Sequence, residues 1–276
     1  MLTPFVVSVV IILLVSRGFF GKLPTFDELE NPKTNLATQL ISSDGNNLGA
    51  YFYENRSNVS YKELPDDLID ALIATEDVRF RNHSGIDIRS LLRDVYGQII
   101  GNKSSGGAST ITQQLSKMLF TKKPSSGIER VVQKLKEWVI SARLEKHYTK
   151  DEIITMYLNR FDWVNNAVGI KSASRVYFNK KPSELNLEEA ATLVGMLKNS
   201  ALYNPNRRLN FTEERRNVVL SQMKKYKFIN NETFDTTIAK PLVLDFKKAS
   251  HNEGLAPYLR EQLRPILVNW LSLIHI

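Results

Sequence analysis

From Leu64 onward the sequence is written in helical period, and this constrains the fold more than any other feature. PDDLIDALIATED (65–77), STITQQLSKMLF (109–120), IERVVQKLKEWVISARLEKHY (128–148), DEIITMYLN (151–159) and LNLEEAATLVGML (185–197) each repeat apolar residues at helical spacing. Two starts are explicit. Thr149 with Glu152 forms a capping box, and Asn186 can cap the helix carrying Glu188 and Glu189. β signals are confined to the stretch before it, where ISSDGNNLGAYFYENRSNVSY places a turn between two β-forming runs and predicts a hairpin. The expectation is a mainly α fold with a small β neck. The 276 residues, 42% hydrophobic and 24% charged, suffice for one large domain with a substantial core.

The first fifteen residues have another character. Apolar residues run almost unbroken from Phe5 to Val15, and on to Phe20 if Ser16, Arg17 and Gly18 are admitted. A membrane span needs about 20 such residues. No basic residue precedes the run and no small-residue cleavage pattern follows it, so a signal peptide fits poorly. We read residues 1–20 as a transmembrane anchor whose cytoplasmic start is missing, against the alternative of a buried core helix. Residues 21–60 then form a neck, residues 61–245 the main domain, and residues 246–276, with little periodicity, a linker toward a further domain.

The net charge of +8 calls for an anionic partner. Without a run of five basic residues, a zinc-finger spacing or an aromatic ribonucleoprotein motif, nucleic acid is not expected; a membrane or a phosphate-bearing substrate is. The absence of cysteine excludes disulfides, thiolate metal sites and a cysteine nucleophile, but does not fix the compartment. His83, His147, His251 and His275 show no metal-ligand spacing. Ser221 and Lys224 match a Ser-x-x-Lys pattern, but no Lys-Thr-Gly accompanies it, so the match carries nothing.

Three segments carry candidate chemistry. On a helix over residues 66–77, at roughly 100° per residue, Glu76 falls within the apolar arc of Leu68, Ile69, Leu72 and Ile73, whereas Asp77 falls opposite, beside Asp70. A carboxylate on a core-facing stripe suits a general base, because burial disfavours its charged form; a helix end turned to solvent is the plain alternative. In GGASTITQQLSK, Ile111, Leu115 and Met118 form an apolar stripe, and Thr110, Gln113, Gln114 and Lys117 a polar one suited to a sugar and its phosphate, or simply solvated. On the long helix, Val131, Leu135, Trp138, Val139 and Ala142 are expected inward, with Arg130, Lys134, Glu137 and Ser141 on the polar face. That polar set can hold a diphosphate or form ordinary helical ion pairs.

In this order the segments resemble the peptidoglycan glycosyltransferase domain of class A penicillin-binding proteins and their monofunctional relatives. The resemblance covers residues 61–225. ATEDVRFRNHSGID resembles the first signature, with Glu76 on the catalytic glutamate and Asp77 on the neighbouring aspartate; STITQQLSK resembles the second, with Lys117 on a phosphate-binding lysine. KLKE at 134–137 resembles the third, with Glu137 on the second functional glutamate and Lys134 beside it. TKDEIITMYLN with NNAVGI resembles the fourth, and LEEAATLVGMLKNSALYNP the fifth. Three positions depart: Gln133 stands for a usual arginine, Val164 for a usual glycine, and Ser200 or Ala201 for a common proline.

The resemblance implies a lysozyme-like fold with a membrane-proximal lobe and a cleft that polymerises lipid II, the lipid-linked disaccharide-pentapeptide, into β-1,4 glycan strands. Glu76, Asp77 and Glu137 would be catalytic. Phe80, His83, Ser109, Thr110, Gln113, Gln114, Lys117, Arg130 and Lys134 would bind substrate, and Glu137 a divalent cation, expected to be Mg2+. The expected partners are lipid II, the growing glycan strand, the membrane and other cell-wall synthesis proteins. The expected location is the outer face of the bacterial cytoplasmic membrane, with a single anchor. A lytic glycan-cleaving enzyme of similar fold and a non-catalytic membrane scaffold are the alternatives.

Overall fold

In the computed structural model the residues described are 13–21, 23–24, 38–51, 55–56, 58–100, 109–120, 124, 126–247 and 257–274. Two antiparallel strands, β1 (Thr38–Ile41) and β2 (Asn47–Tyr51), pair from Thr38 opposite Tyr51, with an irregularity at Leu40/Ile41. Asn55–Arg56 (β3) pairs in parallel with Ala167–Val168 (β4). The other named elements among the described residues are helical: α1 (Asp66–Glu76), α2 (Ile88–Ile99), α3 (Ile111–Phe120), α4 (Gly127–His147), α5 (Lys150–Arg160), α6 (Ile170–Phe178), α7 (Leu187–Met196), α8 (Leu209–Lys225), α9 (Asn231–Ile238) and α10 (Pro257–Ile274), with three short 3-10 turns. Helix α10 corrects the expectation of an aperiodic linker after Phe246. Of the anchor expected over residues 1–20, the first twelve lie outside the described residues. Residues 13–16 form a helical turn, held to α4 by a 3.1 Å bond from Arg143 to the Ser16 carbonyl. No helix among the described residues is long and apolar enough to cross a membrane.

The core is built around α1. Leu68, Leu72 and Ala71 are fully buried between α7, through Ala190, Leu193 and Val194, and α8, through Val219 and Leu220; α3 packs through Ile111 and Leu115 against α4 and α5. The capping boxes at Thr149 and Asn186 form as expected, each with a reciprocal carboxylate, from Glu152 and Glu189. Trp163 is buried, and its indole N–H donates to the Leu193 carbonyl at 3.0 Å, fastening the loop after α5 onto α7.

That loop contains a conformational oddity. Val164, Asn165 and Asn166 all have positive φ, at 58°, 52° and 62°. Asparagine tolerates the left-handed region, whereas a β-branched valine there is strained by about 1–3 kcal/mol. Glycine at this position relieves the strain but returns backbone entropy to the unfolded chain. Val164→Gly is therefore expected to stabilise the protein by roughly 1 kcal/mol, a rise of about 2–4 °C in thermal midpoint. A lower midpoint for the variant would mean that the side chain contributes packing that outweighs the strain.

Candidate active site

Helix α1 ends at Glu76, and this ending organises the site. Asp77 is its C-cap, with φ −160° and ψ 75°, so the helical angle no longer governs where its side chain points. The expectation that Asp77 lies opposite the buried arc is corrected: its side chain is 4% exposed, more buried than the half-buried Glu76. His83 Nε2 lies 3.0 and 3.1 Å from its two oxygens, and the Ile111 backbone N–H donates to it at 3.2 Å. A carboxylate at the first turn of α3 satisfies an orphan amide and meets the positive end of the helix dipole.

The same helix start is fixed twice more. Thr110 caps it, its hydroxyl accepting from the Gln113 N–H at 3.1 Å and donating to the Gly85 carbonyl at 2.7 Å; the Gln113 side-chain amide reaches the same carbonyl at 3.3 Å. Gly85 has φ +84°, and a Cβ there would stand 2.8 Å from the Ser141 backbone, so glycine lets this loop touch α4. Thr110 and Gln113 are thus buried tethers, which corrects the expected polar face. With Asp77 they leave Gln114 as the polar side chain on α3 free to meet Glu76.

Gln114 donates to Glu76 Oε2 at 2.7 Å and accepts from the Tyr157 hydroxyl at 2.9 Å. Burial, with a smaller contribution from the Glu76 charge, raises the Tyr157 pKa well above its ordinary value. The phenol therefore stays protonated and must donate. That fixes the Gln114 amide with its oxygen toward Tyr157 and its NH2 toward Glu76. Sequence reading missed Tyr157 because a tyrosine at a buried position of α5 looks like core.

Helix α4 turns over relative to expectation. Its buried residues are Glu137, Ile140, Ser141 and Leu144, while Val131 and Ala142 are exposed and Leu135, Trp138 and Val139 only half-buried. Of the polar face, Glu137 and Ser141 point inward with their polar atoms partnered, while Arg130 is exposed. Lys134 Nζ lies 3.1 Å from Glu137 Oε2 and 2.8 Å from Ser109 Oγ; Gln133 donates to Glu137 Oε1 at 3.1 Å; Ser141 meets Ser116 of α3 at 2.8 Å. Both oxygens of Glu137 are thus engaged, and among the described residues no three His, Cys, Asp or Glu stand together as a metal site. The donor set does not fit a divalent cation held by protein ligands alone.

Two hollows meet beside Glu76. The first, about 790 Å³, is lined by Thr75, Glu76, Asp77, Asp87, Ser90, Arg93, Gln114, Arg215 and Lys225 among others. The second, about 990 Å³, is lined by Gln113, Lys117, Arg130, Gln133, Lys134 and Glu137. They share Ser109, Gln114, Leu197 and Lys198; cations line both, but the first hollow also carries Glu76, Asp77 and Asp87, whereas in the second Lys117, Arg130 and Lys134 face Glu137. Lys198, also missed in the sequence, is exposed on the shared wall. Phe80 and His83, expected to contact substrate, line neither hollow: Phe80 is fully buried and His83 is tied to Asp77, and both support the wall from behind.

Asp87 caps α2, accepting from the Ser90 amide at 3.2 Å and the Ser90 hydroxyl at 2.7 Å, and pairs with the Arg79 guanidinium. Burial alone would raise its pKa, but bonds from Arg79 and Ser90 overcome this and hold it at about 2. With an unfolded value near 3.9, the depressed folded pKa contributes about 2 kcal/mol of stability above about pH 4, and this is lost as pH falls toward 2. The difference in unfolding free energy between wild type and Asp87→Asn, measured by denaturant titration, is expected to shrink by that amount between about pH 6 and pH 2. A difference independent of pH would show that the ion pair contributes no net stability.

A half-buried glutamate at the edge of a cation-lined cleft is the arrangement of an enzyme that pairs a general base with an anionic substrate. The sequence comparisons narrow this class. The family described as Transglycosylase matches residues 44–224. Penicillin-binding protein 1A of Escherichia coli K12 is 32% identical over 271 residues, covering 96% of this chain and 31% of that relative. Penicillin-binding protein 1A of Haemophilus influenzae is 34% identical over 241 residues, 87% of this chain and 27% of its own. Penicillin-binding protein 1F of Bacillus subtilis is 34% identical over 223 residues, 81% and 31% respectively. The crystal structure of the Haemophilus protein superposes with a TM-score of 0.45 at 22% identity, covering 86% of this chain and 25% of that one. The chain belongs to the Transglycosylase family and is a glycosyltransferase domain of the class A penicillin-binding-protein type. It spans about a third of the length of the curated relatives it matches.

Proposed function

We propose that this chain polymerises lipid II into β-1,4 glycan strands, with residues 61–245 as the lysozyme-like catalytic unit. The observation that carries this reading is the placement of Glu76. Its carboxylate is held by Gln114 at the junction of two hollows, the second of which sets Lys117, Arg130, Lys134 and the shared Lys198 against the single carboxylate of Glu137. In this reading the acceptor sugar enters the first hollow, and the growing strand, still joined to its polyprenyl diphosphate, fills the second. Glu76 takes the proton from the acceptor 4-hydroxyl as that oxygen bonds to the donor anomeric carbon. The carbon–oxygen bond to the diphosphate breaks with its electron pair leaving on the diphosphate, and the configuration inverts. The lysines of the second hollow receive the departing charge.

The membrane belongs to the same proposal. Ile88, Leu92 and Tyr96 of α2 and Ile100 just after it recur every fourth residue, all more than half exposed, with Arg89 and Arg93 beside them; Ile128 and Val131 of α4 are exposed as well. An apolar stripe flanked by arginines suits the interfacial plane of an acidic bilayer. We place the catalytic unit on the outer face of the cytoplasmic membrane, with residues 1–20 as its anchor. Confining enzyme and lipid substrates to one surface raises their effective concentration. Other cell-wall synthesis proteins are the partners that such a location offers.

The test is incubation of the purified chain with fluorescent lipid II in detergent or vesicles. Long glycan together with free polyprenyl diphosphate is the expected product. Cleavage of preformed glycan without polymerisation would assign the lytic alternative, and neither activity a scaffold.

A further inference from the structure

Helix α5 opens with a charge of the wrong sign. Thr149 caps it and Lys150 is its first residue, at the end where partial positive charge favours acids such as the neighbouring Asp151 and Glu152. A residue that breaks a local preference without local compensation points to a task elsewhere in the fold. The Lys150 ammonium turns inward, 2.6 Å from Glu145 Oε2, donating to the His83 carbonyl at 2.6 Å and lying 4.2 Å from the centre of the Phe80 ring. Glu145, on the last turn of α4, has a side chain only 4% exposed, and its other oxygen accepts from the Thr112 hydroxyl at 2.5 Å. Thr112 follows Ile111, whose amide holds Asp77, and Asp77 holds His83. The contacts close into a ring: Asp77, Ile111 and Thr112, Glu145, Lys150, His83, and Asp77 again.

This ring joins the end of α1 to the start of α3 through α4 and α5. Glu76 sits beside Asp77 on one side of the joint, and Gln114, which bonds Glu76, lies one turn along α3 on the other. Lys150 itself lines neither hollow. We propose that Lys150, paired with Glu145, is a positioning residue for glycosyl transfer: it clamps the Phe80–His83 segment against α3 and so sets the alignment of Gln114 with Glu76. The inference rests on the transferase function proposed above. A small displacement of a general base is enough to slow proton transfer by about 10²-fold while leaving substrate contacts in place.

The experiment compares wild type, Lys150→Met, Lys150→Arg and the double variant Lys150→Met/Glu145→Gln for lipid II polymerisation kinetics and thermal midpoint. Lys150→Met is expected to lower kcat by about 10²-fold with KM within about twofold, and to lower the midpoint because Glu145 is left buried without its cation. The double variant removes that charge, so the midpoint recovers, but kcat stays low because the His83 carbonyl and Phe80 ring remain unclamped. Lys150→Arg, which keeps a cation with several donors, recovers most of kcat. Recovery of kcat together with the midpoint in the double variant would overturn the inference, as would a raised KM at unchanged kcat in Lys150→Met. Absence of polymer from wild type would overturn the transferase reading, and this inference with it. An active wild type with an active double variant overturns this inference alone.

Discussion

Glu76→Gln is expected to reduce glycan polymerisation by about three orders of magnitude, the contribution of a positioned general base. The substitution keeps the shape of the side chain and an oxygen for the Gln114 amide to bond, so the wall of the first hollow stays in place. What disappears is the ability to accept the proton of the attacking hydroxyl. The loss should therefore fall on kcat with KM little changed. The side chain is half-buried and has Gln114 as its hydrogen-bond partner among the described residues, so the thermal midpoint should move by no more than about 2 °C. Initial rates measured across a range of lipid II concentrations test both parts. A variant that retains a tenth of the wild-type rate would exclude Glu76 as the base, and Asp77 could not replace it because His83 and Ile111 sequester its carboxylate.

The helical frame was legible because its signals are local. Capping at Thr149 and Asn186 and the apolar stripes of α1, α3, α5 and α7 depend on residues within a turn or two of one another. The segments that carry the signatures are ones the fold brings together around the two hollows. What the helical wheel could not give was orientation. It assumes that apolar residues face the core, yet on α4 the buried face includes Glu137 and Ser141, whose polar atoms are met by Gln133 and Lys134 of the same helix and by Ser116 of α3. The apolar side of that helix, with Val131 exposed, faces outward, as does the stripe of α2.

The wheel also failed at a helix end. Extrapolating α1 by one residue put Asp77 opposite Glu76, but the backbone leaves the helix there. Two adjacent carboxylates consequently receive different surroundings, and neither fate is written in the dipeptide. Glu76 sees an amide and a cleft. Asp77 sees a histidine and a helix start 34 residues further along the chain. Tyr157 and Lys150 were missed for the same reason: each acts on a segment distant in sequence, and each by itself looks like an ordinary helix residue.

That difference between neighbours yields the second large effect. Asp77→Ala removes the acceptor for the Ile111 amide and for His83 Nε2, both in buried surroundings, and each orphaned donor costs about 1–3 kcal/mol. The variant should lose roughly 4 kcal/mol, lowering the thermal midpoint by about 10 °C, and should also polymerise at least about 10²-fold more slowly because α3 is no longer tied to the end of α1. Asp77→Asn should lie between. Its carbonyl can still accept from Ile111, but its NH2 then faces His83 Nε2, and His83 Nδ1 is buried with no hydrogen-bond partner among the described residues. The pair of adjacent substitutions thus separates chemistry from architecture: a stable, inactive protein at position 76, and an unstable, slow one at position 77. A Asp77→Ala protein that melts like wild type would show that the tether between α1 and α3 is not what holds the base in place, and the alignment of Glu76 would then have to rest on Tyr157 and Gln114 alone.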